Sequence, residues 1–589
     1  MPGASGAVAN ASGAVANAAG AVPGASGAVP DIVGAVPGPK AALKWAKVID
    51  QQRCIGCHAC TTACKSENEV PLSVTRTYVK YVDVGVFPQA RRAFQVTRCN
   101  QCDDAPCTAA CPTGAMFRRP DGIVDFDKSI CIGCKACIAA CPYDAIFINP
   151  EDHSAEKCNF CAHRLDMGLE PACVVVCPTE AILVGDLGDP GSQVARIVHR
   201  EPVAVRRPEK DTRPKLFYRG AHQATLDPLA ARRPPGGLFS WSQQQRGGDL
   251  VVSGHPAQAG GPRDPEGAGR PGYPGSLPAG NSAAAAVLAY DVAHGMPWDW
   301  RVSLYTLTKG IAAGVYLVAL LLLAMGRLSA ASPVWLLAVP VSGGLFLAAT
   351  GALLIWDLEH PGRFYLIFTR PQWRSWLVRG AFLIGGYSLV LALHFLAAAA
   401  GRPDLVRLLI WPGLPLSLLT AVYTAYLFAQ AKARDLWQNP LLPPHLAVQA
   451  VLAGAAALAP VAMAVEPRLL ASLLGVLAVT GLLHLALVAG ECTLTHGTAH
   501  ARLATWEMLR GRYRTWFWAA AALVAAAVGL ATVASSGASW LGAVSTGAAI
   551  GAVPGLAAIG AAMAPLLALL GLLAFEHAYV QAGQSVPLA

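Results

Sequence analysis

Charged residues and cysteines are scarce in the second half of this 589-residue chain. Residues 301–589 contain 24 charged residues against 57 in residues 1–300, and Cys492 is their only cysteine among the 17 of the chain. Only 14% of all residues are charged, whereas a soluble domain has roughly a quarter. A disordered protein or a single soluble domain is therefore excluded. The net charge of +9 comes mostly from the apolar half, with 16 basic and 8 acidic residues, which argues against a nucleic-acid-binding surface.

The N-terminus lacks the features of a signal peptide. It has no basic residue before Lys40 and no unbroken apolar run, the two features that mark such a segment. The triplet Gly-Ala-Val recurs every seven residues from Gly6 to Gly34, but Gly, Pro and Asn interrupt the repeat and exclude a coiled coil. Residues 1–39 are therefore predicted to be a low-complexity, flexible tail. The cysteines that follow are predicted to be reduced or metal-bound thiols in the cytoplasm.

Sixteen cysteines fall in four groups of four between Cys54 and Cys177. The groups are Cys54, Cys57, Cys60 and Cys64; Cys99, Cys102, Cys107 and Cys111; Cys131, Cys134, Cys137 and Cys141; and Cys158, Cys161, Cys173 and Cys177. The spacing C-x2-C-x2-C-x3-C is typical of [4Fe–4S] ligands, with the fourth cysteine serving the other cluster of a pair. Four clusters in two ferredoxin-like modules are predicted. Structural zinc is the alternative, although zinc sites usually have two separated C-x2-C pairs.

Residues 45–219 resemble the four-cluster iron–sulfur subunits of molybdopterin oxidoreductases of the dimethyl sulfoxide and polysulfide reductase type. The resemblance covers all sixteen cysteines, the proline after three of the groups, and residues 213–218. It implies an α+β, ferredoxin-like double module over residues 40–220, with ligands exchanged between the first and fourth groups and between the second and third. The implied ligand sets are Cys54, Cys57, Cys60 and Cys177; Cys64, Cys158, Cys161 and Cys173; Cys99, Cys102, Cys107 and Cys141; and Cys111, Cys131, Cys134 and Cys137.

A Pro- and Gly-rich segment, residues 221–285, is predicted to link this domain to a membrane domain over residues 286–589. Apolar runs of about 20 residues can cross a bilayer as helices. Eight such runs are predicted, at residues 303–326, 334–356, 380–400, 409–428, 446–465, 469–490, 517–536 and 556–575. With eight spans, ten basic residues lie in loops on the side of the cysteine domain and four on the opposite side. The positive-inside rule then places the cysteine domain on the cytoplasmic side of the inner membrane.

The membrane half is similar to the NrfD family of polysulfide-reductase membrane subunits. The similarity rests on residues 300–316, 356–364, 370–377 and 582–588. It implies an all-α bundle that binds a quinone, either menaquinone or ubiquinone, near the iron–sulfur subunit and contains no haem. The depths of His394 and His484 in their spans differ by about 12 Å at 1.5 Å per residue, which also disfavours one haem between them.

Ionisable groups at the cysteine-domain end of the first two spans are the candidate quinone site. They are Tyr305, Lys309, Asp357, His360 and Arg363. For Lys309 the alternative is a side chain that snorkels to the interface, and for Asp357 with Arg363 it is a structural ion pair. Glu491, His496 and His500 are expected to be solvated loop residues, and Gly310 with Gly314 is expected to allow close helix packing.

The sequence therefore predicts an electron-transfer and quinone-reactive membrane subunit that lacks a pterin-binding domain. Its expected partner is a molybdenum or tungsten bis-pterin catalytic subunit. A proton-translocating membrane module is the alternative function. It ranks lower because such a pump needs a chain of ionisable residues through the bilayer, and few ionisable residues are predicted inside the spans.

Overall fold

The structure is a computed structural model that describes residues 43–85, 88–232, 286–544 and 554–589. The predicted tail, residues 1–39, and most of the predicted linker lie outside these ranges. The described part of the cysteine domain contains short strands and helices. The strands are β1 (Trp45–Asp50), β2 (Thr77–Val84), β3 (Arg91–Arg98), β4 (Met116–Arg118), β5 (Val124–Phe126), β6 (Ile146–Ile148), β7 (Ala155–Lys157), β8 (Ile182–Asp186), β9 (Val203–Ala204), β10 (Leu216–Arg219) and β11 (Ala286–Tyr290). The helices are α1 (Ala59–Glu67), α2 (Pro106–Ala110), α3 (Ala136–Ala140), α4 (Ala162–Leu165), α5 (Ala172–Val175), α6 (Gln193–Arg200) and α7 (Gln223–Leu226).

The strands form two small sheets and two hairpins. One sheet has the order β8-β1-β10-β9, in which β1 and β10 are parallel and β1 and β8 antiparallel. The other has the order β11-β2-β3 and is antiparallel. The hairpins β4–β5 and β6–β7 follow the second and third cysteine groups. This arrangement confirms the predicted α+β, ferredoxin-like class.

The first and third cysteine groups share one local geometry. Gly56 and Gly133 have φ values of 71° and 69°, and His58 and Lys135, two residues later, have φ values of 59° and 61°. These left-handed residues turn the backbone around the first three cysteines. The helix that starts next, α1 or α3, contains the third cysteine of the group. The equal spacing seen in the sequence therefore reflects the same loop built twice.

The residues around the predicted linker belong partly to the cysteine domain. The helix α7 lies at Gln223–Leu226, inside the range predicted as linker. The strand β11 pairs with β2, although the sequence puts residue 286 at the start of the membrane domain. The chain therefore returns to the cysteine domain just before it enters the bundle.

Eight helices in the described part of the chain are long and apolar enough to cross a membrane, as predicted. We call them the first to eighth spans: Trp300–Ala324, Val334–Trp356, Trp376–Ala399, Pro403–Gln430, Leu442–Val465, Pro467–Thr493, Arg514–Ser535 and Ile559–Gln584. The predicted end of the eighth span, residue 575, is wrong because the helix continues to Gln584. Glu576 and Gln581 interrupt the apolar run, but both side chains are buried inside the bundle.

The first and fifth spans touch through glycine. A methyl group on Gly314 would overlap the backbone of Ala450 and Gly454, and one on Gly454 would overlap the backbone of Gly314. This close contact confirms the expected packing role of Gly314. Polar side chains of the two spans, Lys309 of the first and Gln449 of the fifth, line one pocket there.

The substitution Gly314→Ala is expected to destabilise the bundle by at least about 2 kcal/mol, because the added methyl group meets backbone that cannot rotate away. The measurement is the thermal unfolding midpoint in detergent. Gly351→Ala in the second span is the matched control, since a Cβ there meets nothing within 4 Å. Equal midpoints for the two variants would contradict the close contact.

Candidate cluster sites and membrane pocket

Thiols from different sequence groups lie side by side in the cysteine domain. Cys177 of the fourth group lies beside Cys54 and Cys60 of the first, and its charge adds to burial in raising the pKa of both. Burial together with the charge of Cys99 likewise raises the pKa of Cys141 to about 12, which places the third group beside the second. These are neighbours of the kind that ligand exchange requires.

The remaining cysteines follow the same pattern. Cys64 of the first group lies beside Cys158 of the fourth. Cys111 of the second group lies beside Cys131 and Cys137 of the third. Burial raises the pKa of Cys64, Cys111 and Cys137 more than the charges of the neighbouring thiols do. The fold thus brings thiols of the first group beside those of the fourth, and thiols of the second group beside those of the third. We call such a gathering of thiols from two groups a cradle.

The cradles are wider than a site for one metal ion. In the described ranges no three His, Cys, Asp or Glu side chains converge as the ligands of a single ion would. The cradle of Cys111, Cys131, Cys134 and Cys137 instead lines one pocket. A zinc ion would bring four sulfurs to about 2.3 Å from one point. The donor set and the open space fit a larger, thiolate-bound iron–sulfur cluster.

Buried cations face one cradle. Arg98 donates to the Cys173 sulfur at 3.0 Å, and the Lys47 ammonium lies 3.7 Å from the same atom. Burial alone would raise the pKa of Cys173, but these two cations outweigh it and lower the pKa to about 7. The Arg98 Nε and Nη2 atoms are buried and have no hydrogen-bond partner in the described part of the chain. These free donors fit acceptor sulfur atoms of a cluster in the cradle.

The third cysteine group rests directly on the bundle. The Cβ of Glu359 fills the space beside Gly133, where any side chain would collide with it. Ile132 packs in one apolar cluster with Leu358 and Val378. We call this end of the bundle the cluster end. The loop after the second span is therefore a direct contact between the cysteine domain and the membrane domain.

This contact between the cysteine domain and the bundle includes three of the predicted quinone residues: Asp357, His360 and Arg363. Asp357 pairs with Lys135 at 3.6 Å and with Arg301 at 4.0 Å, so the alternative of an ion pair with Arg363 is wrong. Arg363 donates to the carbonyls of Lys128 and Cys131 at 3.0 and 2.9 Å. Burial raises the pKa of Asp357 to about 6, although Lys135 opposes the shift.

The backbone N–H of His360 donates to the carbonyl of Ile132 at 3.2 Å. This bond joins the loop after the second span to the third cysteine group. The structure therefore places His360 against the cysteine loop, as it does Asp357 and Arg363.

The other two predicted residues, Tyr305 and Lys309, are buried inside the bundle. The Lys309 ammonium donates to the carbonyl of Ala421 at 2.9 Å and to the hydroxyl of Thr424 at 2.7 Å. Lys309 is only 1% exposed, so the snorkelling alternative is wrong. It lies roughly 14 Å along the first span from Trp300, at 1.5 Å per residue.

A small pocket opens beside Lys309, and we call it the Lys309 pocket. Its polar lining residues are Thr306, Lys309, Gln449 and Glu576, which come from the first, fifth and eighth spans. Thr306 and Gln449 line the same pocket as the Glu576 carboxylate. The pocket therefore combines an ammonium, a carboxylate, an amide and a hydroxyl inside an apolar bundle.

Three family descriptions match the chain. "4Fe-4S binding domain" matches residues 45–66, "4Fe-4S dicluster domain" matches residues 91–187, and "Polysulphide reductase, NrfD" matches residues 291–560. A tetrathionate reductase subunit from Salmonella typhimurium is 44% identical over 200 residues, which are 33% of this chain and 78% of that protein. The chain belongs to the iron–sulfur subunits of such reductases, here fused to an NrfD membrane domain.

Two further relatives match the cysteine domain of this iron–sulfur/NrfD fusion. A polysulfide reductase component from Wolinella succinogenes is 42% identical over 179 residues, 30% of this chain and 94% of the relative. The thiosulfate reductase electron transfer subunit from Salmonella typhi is 44% identical over 163 residues, 27% of this chain and 84% of the relative. The fusion is thus a multi-pass membrane protein with an iron–sulfur electron-transfer domain, which confirms the predicted family.

Sequence reasoning missed several ionisable residues that the fusion buries. Glu576 lies one residue beyond the predicted end of the eighth span. Glu491 and His500, expected to be solvated, are buried, and Glu491 belongs to the last turn of the sixth span. An ionisable residue in an apolar run is itself a signal of function, so extending the predicted spans could have identified both glutamates.

Proposed function

We propose that the fusion transfers electrons between a molybdenum or tungsten bis-pterin catalytic subunit and a membrane quinone through four [4Fe–4S] clusters. The observation that carries this proposal is the contact of the third cysteine group with the cluster end of the bundle. Gly133 and Lys135 lie against Glu359 there, and the Lys309 pocket opens from the same half of the first span.

The proposed ligand sets are those implied by the exchange of cysteines between groups. Neighbouring cradles also approach one another, because Cys60 lies beside Cys173, Cys99 beside Cys158, and Cys137 beside Cys107. When bound, the clusters supply one-electron transfer with little movement of their ligands. The cysteine domain contributes a fixed series of cradles that ends at the bundle.

The Lys309 pocket is the proposed quinone site. Conversion between quinone and quinol exchanges two electrons and two protons, so the site needs groups that donate and accept protons. Lys309 would bind a quinone oxygen, and Glu576 would exchange a proton. Tyr305, about one helical turn before Lys309 on the first span, would lie at the edge of the site. Asp357, His360 and Arg363 would border the site between the pocket and the cradle and hold the cysteine loop in place.

The catalytic partner is proposed from the relatives, whose names identify them as parts of tetrathionate, polysulfide and thiosulfate reductases. The cysteine domain is proposed to lie on the cytoplasmic side of the inner membrane. The ten basic loop residues at the cluster end, against four at the opposite end, support this orientation.

Anaerobic mixing with quinone tests the proposed function. A short-chain quinol added to the oxidised complex, purified with its partner, or quinone added to the dithionite-reduced complex should change the oxidation state of the clusters within seconds. Electron paramagnetic resonance measures the change, and the dithionite-reducible signal gives its upper limit. Clusters that respond to dithionite but to neither quinol nor quinone would contradict the quinone role.

A further inference from the structure

A row of buried polar side chains joins the Lys309 pocket to the cluster end through the fifth, sixth and eighth spans. Glu491 and His445 are in contact, with 2.9 Å between Oε1 and Nδ1. The other nitrogen of His445, Nε2, lies 2.8 Å from Nδ1 of His484 and 3.4 Å from the amide nitrogen of Gln449. Gln449 in turn lines the Lys309 pocket together with Glu576.

We infer that Glu491, His445 and Glu576 carry protons between the Lys309 pocket and the aqueous surface at the cluster end. Gln449 holds the His445 ring by its amide and carries no proton itself, and a water molecule in the pocket would complete the transfer to Glu576. The inference rests on the proposed quinone function and adds the route and the side of proton exchange. Imidazole can take a proton on one nitrogen and release one from the other. His445, with a carboxylate on one side and an amide and a second imidazole on the other, has the contacts that this transfer needs.

The burial of this row has no apparent structural benefit for the bundle. Glu491, His445 and His484 are all at most 5% exposed, and buried ionisable groups usually cost stability unless they are fully paired. The Glu491 Oε2 atom is buried and has no hydrogen-bond partner among the described residues. An open acceptor at the outer end of the row is where a water molecule delivers or removes a proton.

The outer end of the row lies next to solvent. Glu491 is followed by Thr493, Leu494 and Thr495, which are all exposed. A few residues later, His500 contacts the cysteine domain through Arg207, with 3.0 Å between the two side chains. This contact fixes the side of the membrane on which the path opens, because the loop after Glu491 and the cysteine domain lie together.

Electrons and protons would therefore enter and leave the pocket on the same side. Oxidation of one quinol releases two electrons to the clusters and two protons through Glu491, and quinone reduction takes up the same four particles. No net charge crosses the bilayer in either direction. The reaction is then electroneutral, in contrast to the proton-translocating alternative.

The substitutions Glu491→Gln and His445→Gln test the path in the full complex. Each keeps a polar side chain of similar size but removes a group that can carry a proton. Both variants should slow cluster reduction by quinol at least tenfold, raise its solvent deuterium isotope effect, and leave quinol binding affinity unchanged. A small weak acid such as azide should partly restore the rate of Glu491→Gln, which a purely structural role of Glu491 does not predict.

His394→Gln is the matched control, because His394 is also buried in the bundle but its ring nitrogens have no hydrogen-bond partner in the described ranges. It should keep the wild-type rate and isotope effect. If wild-type clusters exchange electrons with quinone and the Glu491 and His445 variants do so equally fast, the path is wrong and the quinone function stands. If wild-type clusters exchange no electrons with quinone, the proposed function itself is wrong.

Wild-type complex in oriented vesicles gives a second measurement that does not depend on whether the variants fold. Quinol oxidation should release about two protons per quinol on the side of the cysteine domain, as reported by a pH-sensitive dye. A potential-sensitive dye should give no signal. Proton release on the opposite side, or a membrane potential that forms with turnover, would overturn the inference.

Discussion

Replacing Lys309 by methionine is expected to slow electron exchange between quinone and the clusters by about 100-fold or more, the usual effect of removing a proton-donating group. Methionine has nearly the length of lysine and fits an apolar site, but it cannot donate to the Ala421 carbonyl, to Thr424 or to a quinone oxygen. Stopped-flow absorbance of the clusters after mixing with quinol measures the rate.

The matched control is Lys432→Met, which removes an exposed lysine near the cluster end and should not change the rate. Iron content and thermal unfolding of Lys309→Met distinguish a lost reaction from a lost fold, since the freed carbonyl of Ala421 costs about 1–3 kcal/mol. A correctly folded Lys309→Met variant that exchanges electrons at the wild-type rate would remove Lys309 from the proposed quinone site.

The second large effect concerns which cysteines share a cluster. Four [4Fe–4S] clusters correspond to about 16 iron atoms per chain. The double variant Cys111→Ala/Cys137→Ala should lose one cluster and retain about 12 iron atoms, because both cysteines lie in one cradle. The double variant Cys137→Ala/Cys141→Ala should lose two clusters and retain about 8, although these cysteines are close together in sequence.

Iron analysis and electron paramagnetic resonance of the two double variants measure this difference. Each variant carries two cysteine-to-alanine changes in the same module, so each serves as the control for the other. The reverse order, with about 8 iron atoms for Cys111/Cys137 and about 12 for Cys137/Cys141, would mean that each sequence group holds its own cluster. Zinc in place of iron would contradict the cluster proposal altogether.

The sequence predicted those features that depend on short-range spacing and on local composition. The groups of cysteines mark loops that need left-handed residues at fixed positions, and Gly56, His58, Gly133 and Lys135 adopt them. The eight spans follow from apolar runs of sufficient length, because a helix satisfies its own backbone in lipid regardless of what surrounds it. The packing role of Gly314 also followed from a local pattern.

Other features depend on residues that are far apart in the chain. Lys309 and Glu576 come together in one pocket, and His445 and Glu491 come together in one hydrogen bond. The local sequence indicates a loop at Glu491 and a helix end at Glu576, because a polar residue normally ends an apolar run. Only the packing of the spans turns both carboxylates inward.

The sequence by itself therefore determined the cluster-binding loops, the membrane spans and the family of this protein. Each depends on neighbours within a few residues or on an apolar run. The tertiary structure decided that thiols of different sequence groups lie side by side, that Asp357 and Arg363 bind the cysteine loop, and that the polar row reaches the Lys309 pocket. These depend on contacts between distant segments, for which spacing along the chain carries no direct signal.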